Sequence, residues 1–197
     1  KNGKKEAERE GSFLFTHFGF SGPASLDISR FVASADLEDK PQVVASFLPG
    51  ETEESLKKRF EKGCASNPGK QIRNFLVDEY GFASRFTKVF LKKINSDRNL
   101  TLKKFSKAMR GRLMRVLLNC PLDVTGVVGY KKAEVTAGGV DLNEIKASTM
   151  ESKIVPGLYF AGEILDMDGR IGGFNFQWAW STGTLAGRSA AKSLKLS

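Results

Sequence analysis

The sequence predicts an α+β fold: a helical bundle set into a β-rich frame, followed by a strand, a Gly-rich loop and a closing helix. Three observations lead to it. The middle third repeats apolar residues at three- and four-residue spacing over four successive stretches, the pattern of amphipathic helices sharing one core. On either side the apolar runs are short and bounded by Gly, Pro and Ser, as strands are. From Pro156 onward an apolar run ends in glycines and passes into a helical pattern.

Taken in order, residues 12–16 read as a first strand. Ser21-Gly22-Pro23 then starts a short helix carrying Leu26, Ile28 and Phe31, with Ser21 or Gly22 as cap and Pro23 in the first turn, where a missing N–H costs nothing. Residues 42–47 form a second strand. Four helices follow, over about 52–62, 70–80, 83–94 and 102–118. Thr52 caps the first, Glu53 and Glu54 suit the positive end of its dipole, and it stops near Gly63. Asn67-Pro68-Gly69 turns the chain before Ile72, Phe75, Leu76 and Tyr80, which share one face. Phe82, Phe86, Val89, Phe90 and Ile94 repeat the spacing, and Phe105, Met109, Leu113, Val116 and Leu117 continue it after Asn95-Ser96-Asp97. Strands over 122–128 and 133–136 and a turn at Gly138-Gly139 complete the frame. A buried strand over 157–163 leads into the loop 166–173, and the last helix runs from Phe174 into Ala190-Ala191. Ala179, Gly183 and Gly187 form a small-residue stripe on it, suited to tight packing on a sheet.

Composition narrows the function. Of 197 residues 41% are hydrophobic, which excludes wholesale disorder and collagen-like order. No apolar run approaches the roughly 18 residues of a membrane-spanning helix, and no secretory signal opens the chain, so a cytoplasmic protein with no membrane partner is expected. Cys64 and Cys120 form no Cys-x-x-Cys pair and His17 is the single histidine, so neither a zinc site nor a disulfide framework is implied. Asp166 and Asp168 stand beside Gly169, but Arg170 and Ile171 do not continue a calcium-loop pattern, and no metal is expected. His17 is the candidate for proton transfer near neutral pH, against a structural role in its turn.

The net charge of +9 is concentrated. Residues 51–115 hold 17 basic and 7 acidic side chains, an excess of +10, while the flanks are near neutral. A nucleic-acid-binding module is therefore the alternative reading. Against it, no Arg/Asn/Gln recognition pattern stands out, and the phenylalanines sit at core spacing rather than on a stacking face. A solvated cationic surface, or cations facing an anionic cofactor or substrate, fit the same residues.

Strand, Gly-rich loop and helix start, in that order, bring backbone N–H groups and a positive helix end against an electron-rich ligand. The residues that do so here also carry a family. Gly157-Leu158-Tyr159-Phe160-Ala161-Gly162-Glu163-Ile164-Leu165-Asp166-Met167-Asp168-Gly169, continuing through Gly172-Gly173-Phe174-Asn175-Phe176-Gln177 and Ala179-Trp180-Ser181-Thr182-Gly183, closely resembles the C-terminal signature of the BaiN-like flavoproteins. These are labelled NAD(FAD)-utilising dehydrogenases or NAD(P)/FAD-dependent oxidoreductases. Leu14-Phe15-Thr16-His17-Phe18-Gly19-Phe20-Ser21-Gly22-Pro23-Ala24 and Ala133-Glu134-Val135-Thr136-Ala137-Gly138-Gly139-Val140 agree in order and spacing.

The resemblance implies a Rossmann-type FAD domain interrupted by a partial β-barrel-like domain that holds the helical insertion. On that plan residues 1–50 and 119–150 are two parts of the β domain, 51–118 the bundle, and 151–197 the returning strand–loop–helix of the FAD domain. It implies FAD as cofactor, NAD(P)H as candidate electron donor and a small-molecule substrate. The implied cofactor-binding residues are Gly162, Glu163, Asp168, Gly169, Gly172, Gly173, Phe174, Asn175 and Gln177. Gly162 and Glu163 would lie near the ribityl–phosphate portion, Glu163 accepting from a ribityl hydroxyl. Gly172, Gly173, Phe174 and Asn175 would approach the isoalloxazine, and the helix start would stabilise negative charge at its N1/O2 edge. The Gly-x-Gly-x-x-Gly turn that holds an FAD pyrophosphate is absent from the 197 residues. The chain thus reads as a C-terminal fragment, inactive and without tightly held FAD on its own, whose partner is the N-terminal segment of the same FAD domain.

Overall fold

The computed structural model describes residues 5–35 and 41–195. They fall into two compact units, one of residues 41–124 and one of residues 5–35 with 125–195. The chain opens on a hairpin, β1 (Leu14–Phe15) and β2 (Phe20–Ser21), with Phe15 opposite Phe20. Its turn is held by Thr16, whose N–H and hydroxyl both donate to the Gly19 carbonyl, at 2.8 and 3.0 Å. Helix α1 (Pro23–Ala33) follows, with Gly22 as N-cap and Pro23 at its first position.

The helical unit contains β3 (Val43–Ala45), α2 (Glu53–Ser66), α3 (Ile72–Tyr80), α4 (Ser84–Lys93), α5 (Lys107–Leu118) and β4 (Cys120–Leu122). Thr52 caps α2 reciprocally: its hydroxyl accepts from the Ser55 N–H at 3.1 Å, and the Ser55 hydroxyl accepts from the Thr52 N–H at 2.9 Å. The helix runs past its expected stop because Gly63 serves packing, not termination. A Cβ there would stand 2.5 Å from the Phe75 ring. Helix α3 ends on Gly81 in the left-handed region (φ 67°), whose N–H donates to the Val77 carbonyl. The expected fourth helix is broken. Leu102–Lys104 is a 3-10 turn, and α5 restarts where the Ser106 hydroxyl accepts the Met109 N–H. Leu56, Phe60, Ile72, Leu76, Leu102, Phe105, Leu113 and Leu117 are completely buried. The Phe60 ring stands 5.0 Å from Phe75 and 6.3 Å from Phe105. Cys120 is buried and Cys64 half-buried; both are free thiols.

β3 and β4 pair antiparallel, Val43 with Leu122 and Ala45 with Cys120. They thus belong to the helical unit rather than to a separate frame. In the other unit the chain resumes through 3-10 turns at Gly129–Lys131 and Leu142–Glu144 and a hairpin of β5 (Ile145–Lys146) and β6 (Glu151–Ser152). A 3-10 turn at Gly162–Ile164 precedes the long helix α6 (Phe174–Lys195). Ile145, Met150, Leu165 and Ala186 form its small buried core, with Trp178 and Leu185 packed on it.

Several expectations change. The described strands make three separate two-stranded sheets and close no barrel. Residues 123–128 and 133–136 lie outside any strand: the β3–β4 ladder ends at Leu122, and neither run joins a ladder among the described residues. Residues 157–163 are no buried strand either: glycines with positive φ stand at Gly157 and Gly162, and Tyr159 makes only one isolated bridge, to Glu151. The small-residue stripe does not pack on a sheet; Cβ atoms at Gly183 and Gly187 would meet open space. Among the described residues no helix is long and apolar enough to cross a membrane.

One carboxylate makes this unit pH-sensitive. Glu151 accepts the Gly157 N–H at 2.9 Å and pairs with Lys146 at 2.8 Å. These bonds, the Gly157 amide first, hold its carboxyl below the ordinary 4.5. A depressed folded value contributes stability above the ordinary pKa that is lost as pH falls through the folded one. Glu151→Gln is therefore expected to lower the melting temperature near neutrality and to flatten the acid side of the profile, the two proteins converging as pH falls below about 4.5; an unaltered acid limb counts against the assignment.

Candidate functional site

Two of the motifs meet. Residues 136–140 run alongside 162–166, with Val140 bridged in parallel to Leu165. The Val140 N–H donates to the Ile164 carbonyl at 2.8 Å, and the Asp166 N–H to the Val140 carbonyl at 3.0 Å. Both acidic side chains of the loop brace the same segment: Glu163 Oε1 accepts the Thr136 N–H at 2.7 Å and Asp166 Oδ1 the Gly138 N–H at 3.1 Å. The approach demands glycine at 139, where a Cβ would lie 2.4 Å from the Ile164 carbonyl oxygen.

The loop is also pinned to α6. Gly162 adopts φ 77°, a conformation that favours glycine. Its N–H donates to the buried Thr182 hydroxyl at 2.9 Å, and its carbonyl accepts the Trp178 indole N–H at 3.2 Å. At the far end Asn175 grips Gly169, accepting its N–H at 2.7 Å and donating to its carbonyl at 3.1 Å. Gly172 and Gly173, both at positive φ, lead into the helix. Gly173 has no side chain to cap the first turn. The first main-chain bond is Gln177 N–H to the Gly173 carbonyl, so the N–H groups of Phe174, Asn175 and Phe176 have no acceptor among the described residues. Gln177 donates sideways to the Ser181 hydroxyl. Phe174, Phe176 and Trp180 stand exposed beside that open turn.

A set of ion pairs ties α1 to the loop. Arg170 reaches Asp27 Oδ2 through Nε and Nη2, both at 2.9 Å, and Arg9 reaches the same oxygen at 2.8 Å. Arg30 pairs with Asp168 at 3.2 Å. Asp168, expected to face the cofactor, is thus at least partly engaged with α1. Sequence reasoning missed Asp27, Arg30, Arg170 and Thr182. The available signal was the pairing of Asp27 and Arg30, one turn apart, with the complementary Asp168 and Arg170. His17 is exposed in the β1–β2 turn, edge-on to Phe18 at 4.8 Å, and makes no hydrogen bond to the loop.

What results is a curved backbone surface: a glycine-lined loop braced from behind, ending at an uncapped helix start with aromatic rings beside it. Free N–H groups and the positive end of a helix attract electron-rich groups.

The comparisons with known proteins agree in class. The HI0933-like protein Rossmann domain matches residues 26–189, and the chain belongs to the HI0933-like family. The BaiN-like resemblance is borne out with it. The chain is 34% identical over 187 residues to a 3-dehydro-bile acid delta(4,6)-reductase of Clostridium scindens, covering 94% of this chain and 45% of that protein. It is 35% identical over 171 residues to a ribosomal RNA dihydrouridine synthase of Escherichia coli, covering 87% and 40%. A ribosomal RNA dihydrouridine synthase of Haemophilus influenzae matches at 35% over 170 residues, covering 86% and 39%. The chain spans less than half the length of these curated relatives.

Proposed function

We propose that the chain forms the cofactor-facing wall of an FAD-dependent oxidoreductase that reduces a carbon–carbon double bond conjugated to a carbonyl. The observation that carries the reading is the uncapped start of α6 behind Gly172-Gly173. Three N–H groups without an acceptor among the described residues and a positive helix end stand there, with the Phe174 ring beside Gly172. That donor set fits the electron-rich edge of an isoalloxazine, and membership of the HI0933-like family supports it.

FAD, when bound, supplies the hydride. The chain's own residues position and polarise. The amides at 174–176 would hold the electron-rich edge of the ring, an interaction that favours its reduced, more negative state. Glu163, whose Oε1 accepts the Thr136 N–H, would offer Oε2 to a ribityl hydroxyl. Asn175, by gripping Gly169, and Arg170 and Arg30, by anchoring the loop to α1, keep the surface in one shape. On this reading the pyrophosphate would be held outside these 197 residues, which contain no Gly-x-Gly-x-x-Gly turn. NAD(P)H is the electron donor in this reading.

The names of the relatives support the substrate chemistry. A delta(4,6)-reductase acting on a 3-dehydro steroid acid saturates double bonds conjugated to a ketone. A dihydrouridine is a uridine whose pyrimidine double bond, conjugated to a ring carbonyl, has been saturated. The shared acceptor is an electron-poor alkene. The test uses the protein of the relatives' full length that carries this chain, its flavin reduced anaerobically by NADPH or NADH. Mixing with a 4-en-3-one steroid or with uridine in RNA is expected to reoxidise the flavin, and the saturated ketone is expected to leave it reduced. Reoxidation by neither conjugated acceptor, or equally by the saturated ketone, overturns the reading.

A further inference from the structure

The helical unit carries a second constellation, independent of the flavin assignment. Lys88, Lys92 and Arg98 line an open cleft at the C-terminal end of α4, with Asn95 and Ser96 on its wall and Leu91 at its base. Among the described residues none of these three cations is paired with a carboxylate. Of the unit's other cations Lys58 pairs with Glu54, Arg59 with Glu51 and Glu79, and Lys70 with Asp78, while the rest, Lys57, Lys62 and Lys103 among them, have no carboxylate partner among the described residues either; what sets Lys88, Lys92 and Arg98 apart is that they line one cleft. The nearby Asp97 spends one oxygen on the Asn99 N–H at 2.8 Å.

Helix capping does not account for the cluster. The helix end is closed by its own backbone, Ser96 N–H to the Leu91 carbonyl and Asn95 N–H to the Lys92 carbonyl, both at 2.9 Å, with Asn95 in the left-handed region at φ 54°. The macrodipole leaves about half a negative charge at that end, which the full charges of Lys92 and Lys93 outweigh. The cleft is a net cationic surface with two neutral polar side chains.

The surroundings select the ligand. Residues 51–115 carry an excess of +10, far beyond what one small anion needs. The exposed large apolar side chains of the described part of this unit are Val44 and Val89, so no apolar face is available to insert into a lipid surface. No aromatic ring of the unit is exposed, which removes the platforms on which unpaired bases stack. Cations without stacking rings read backbone and shape rather than bases. We propose that the cleft of Lys88, Lys92 and Arg98 docks the phosphodiester backbone of a base-paired nucleic acid.

The probes are a fluorescein-labelled RNA stem-loop and a DNA duplex of equal length, titrated by anisotropy against the whole protein at several salt concentrations. Each phosphate contact contributes close to one unit of slope in log K against log salt. The triple variant Lys88→Ala, Lys92→Ala, Arg98→Ala is expected to lower that slope by about 2–3 and the affinity at least about tenfold. Lys57→Ala, Lys58→Ala, Lys62→Ala removes the same charge from α2 and is expected to do much less. Restoring Lys92→Arg in place of Lys92→Ala is expected to recover part of the loss, and unchanged melting temperatures show that the exposed variants fold. Equal losses in both triples overturn the proposal in favour of diffuse surface charge. Absence of binding at low salt also overturns it, as does competition by inorganic phosphate at constant ionic strength, the mark of a small-anion site. Binding to phosphatidylserine vesicles with the same dependence on the three cations assigns the cleft to a membrane instead.

Discussion

Phe60→Ala is expected to destabilise the helical unit by about 3–5 kcal/mol. The ring is completely buried and lies between Phe75 and Phe105, which reach it from α3 and from the segment ahead of α5. Truncation removes the transfer free energy of a benzyl group and leaves a cavity bounded by three elements. Helix α2 has little freedom to close it, because Gly63 already holds that helix against the Phe75 ring. Denaturant unfolding followed by helical circular dichroism reads the loss as a lower midpoint at unchanged slope. A shift under about 1 kcal/mol means that this core is not the one described.

Gly139→Val is expected to separate residues 136–140 from the loop 162–166. The added Cβ would meet backbone atoms, Ile164 O at 2.4 Å, Leu165 C at 2.9 Å and Asp166 N at 3.0 Å, and backbone cannot rotate away as a side chain can. Four hydrogen bonds join the segments. At about 1 kcal/mol net each, their loss comes to about 4 kcal/mol of local stability. Hydrogen exchange at the Val140 and Asp166 amides reads it directly: protection falls to near that of an open loop, while the helical unit keeps its own. Unchanged protection at both amides contradicts the crossing.

The helices were legible because their determinants are local. Apolar spacing, the Thr52 cap and the Asn67-Pro68-Gly69 turn all act within a few residues of the structure they specify. The strands were legible only in part: the expected runs 12–16 and 42–47 contain β1 and β3, while 133–136 and 157–163 form none, because a strand exists only where another segment pairs with it. Leu122 pairs with Val43 across nearly eighty residues, and residues 133–136 join no strand ladder, yet both runs look alike in sequence. Ser106 shows the same limit at short range: an apolar stripe crossed it, and only its side-chain bond to Met109 reveals a restart. Within the candidate site, residue types were readable and meetings were not. Gly162, Gly172 and Gly173 announced a tight loop through glycine content, and all three adopt positive φ. That Gly139 must pass under Ile164, or that Asp27 anchors Arg170, follows from backbone packing between segments far apart in the chain.

Whether residues 162–175 face a flavin is read most directly from the flavin content of the full-length protein carrying this chain, wild type beside Gly162→Val. Valine is strained at φ 77°, and it disturbs the turn whose N–H and carbonyl bind Thr182 and Trp178. The wild type is expected to copurify with FAD or take it up stoichiometrically. The variant is expected to be colourless, with the helical unit still melting as in wild type. A wild-type protein that cannot be loaded with FAD, or a folded variant that holds FAD as tightly as wild type, contradicts the assignment of this loop.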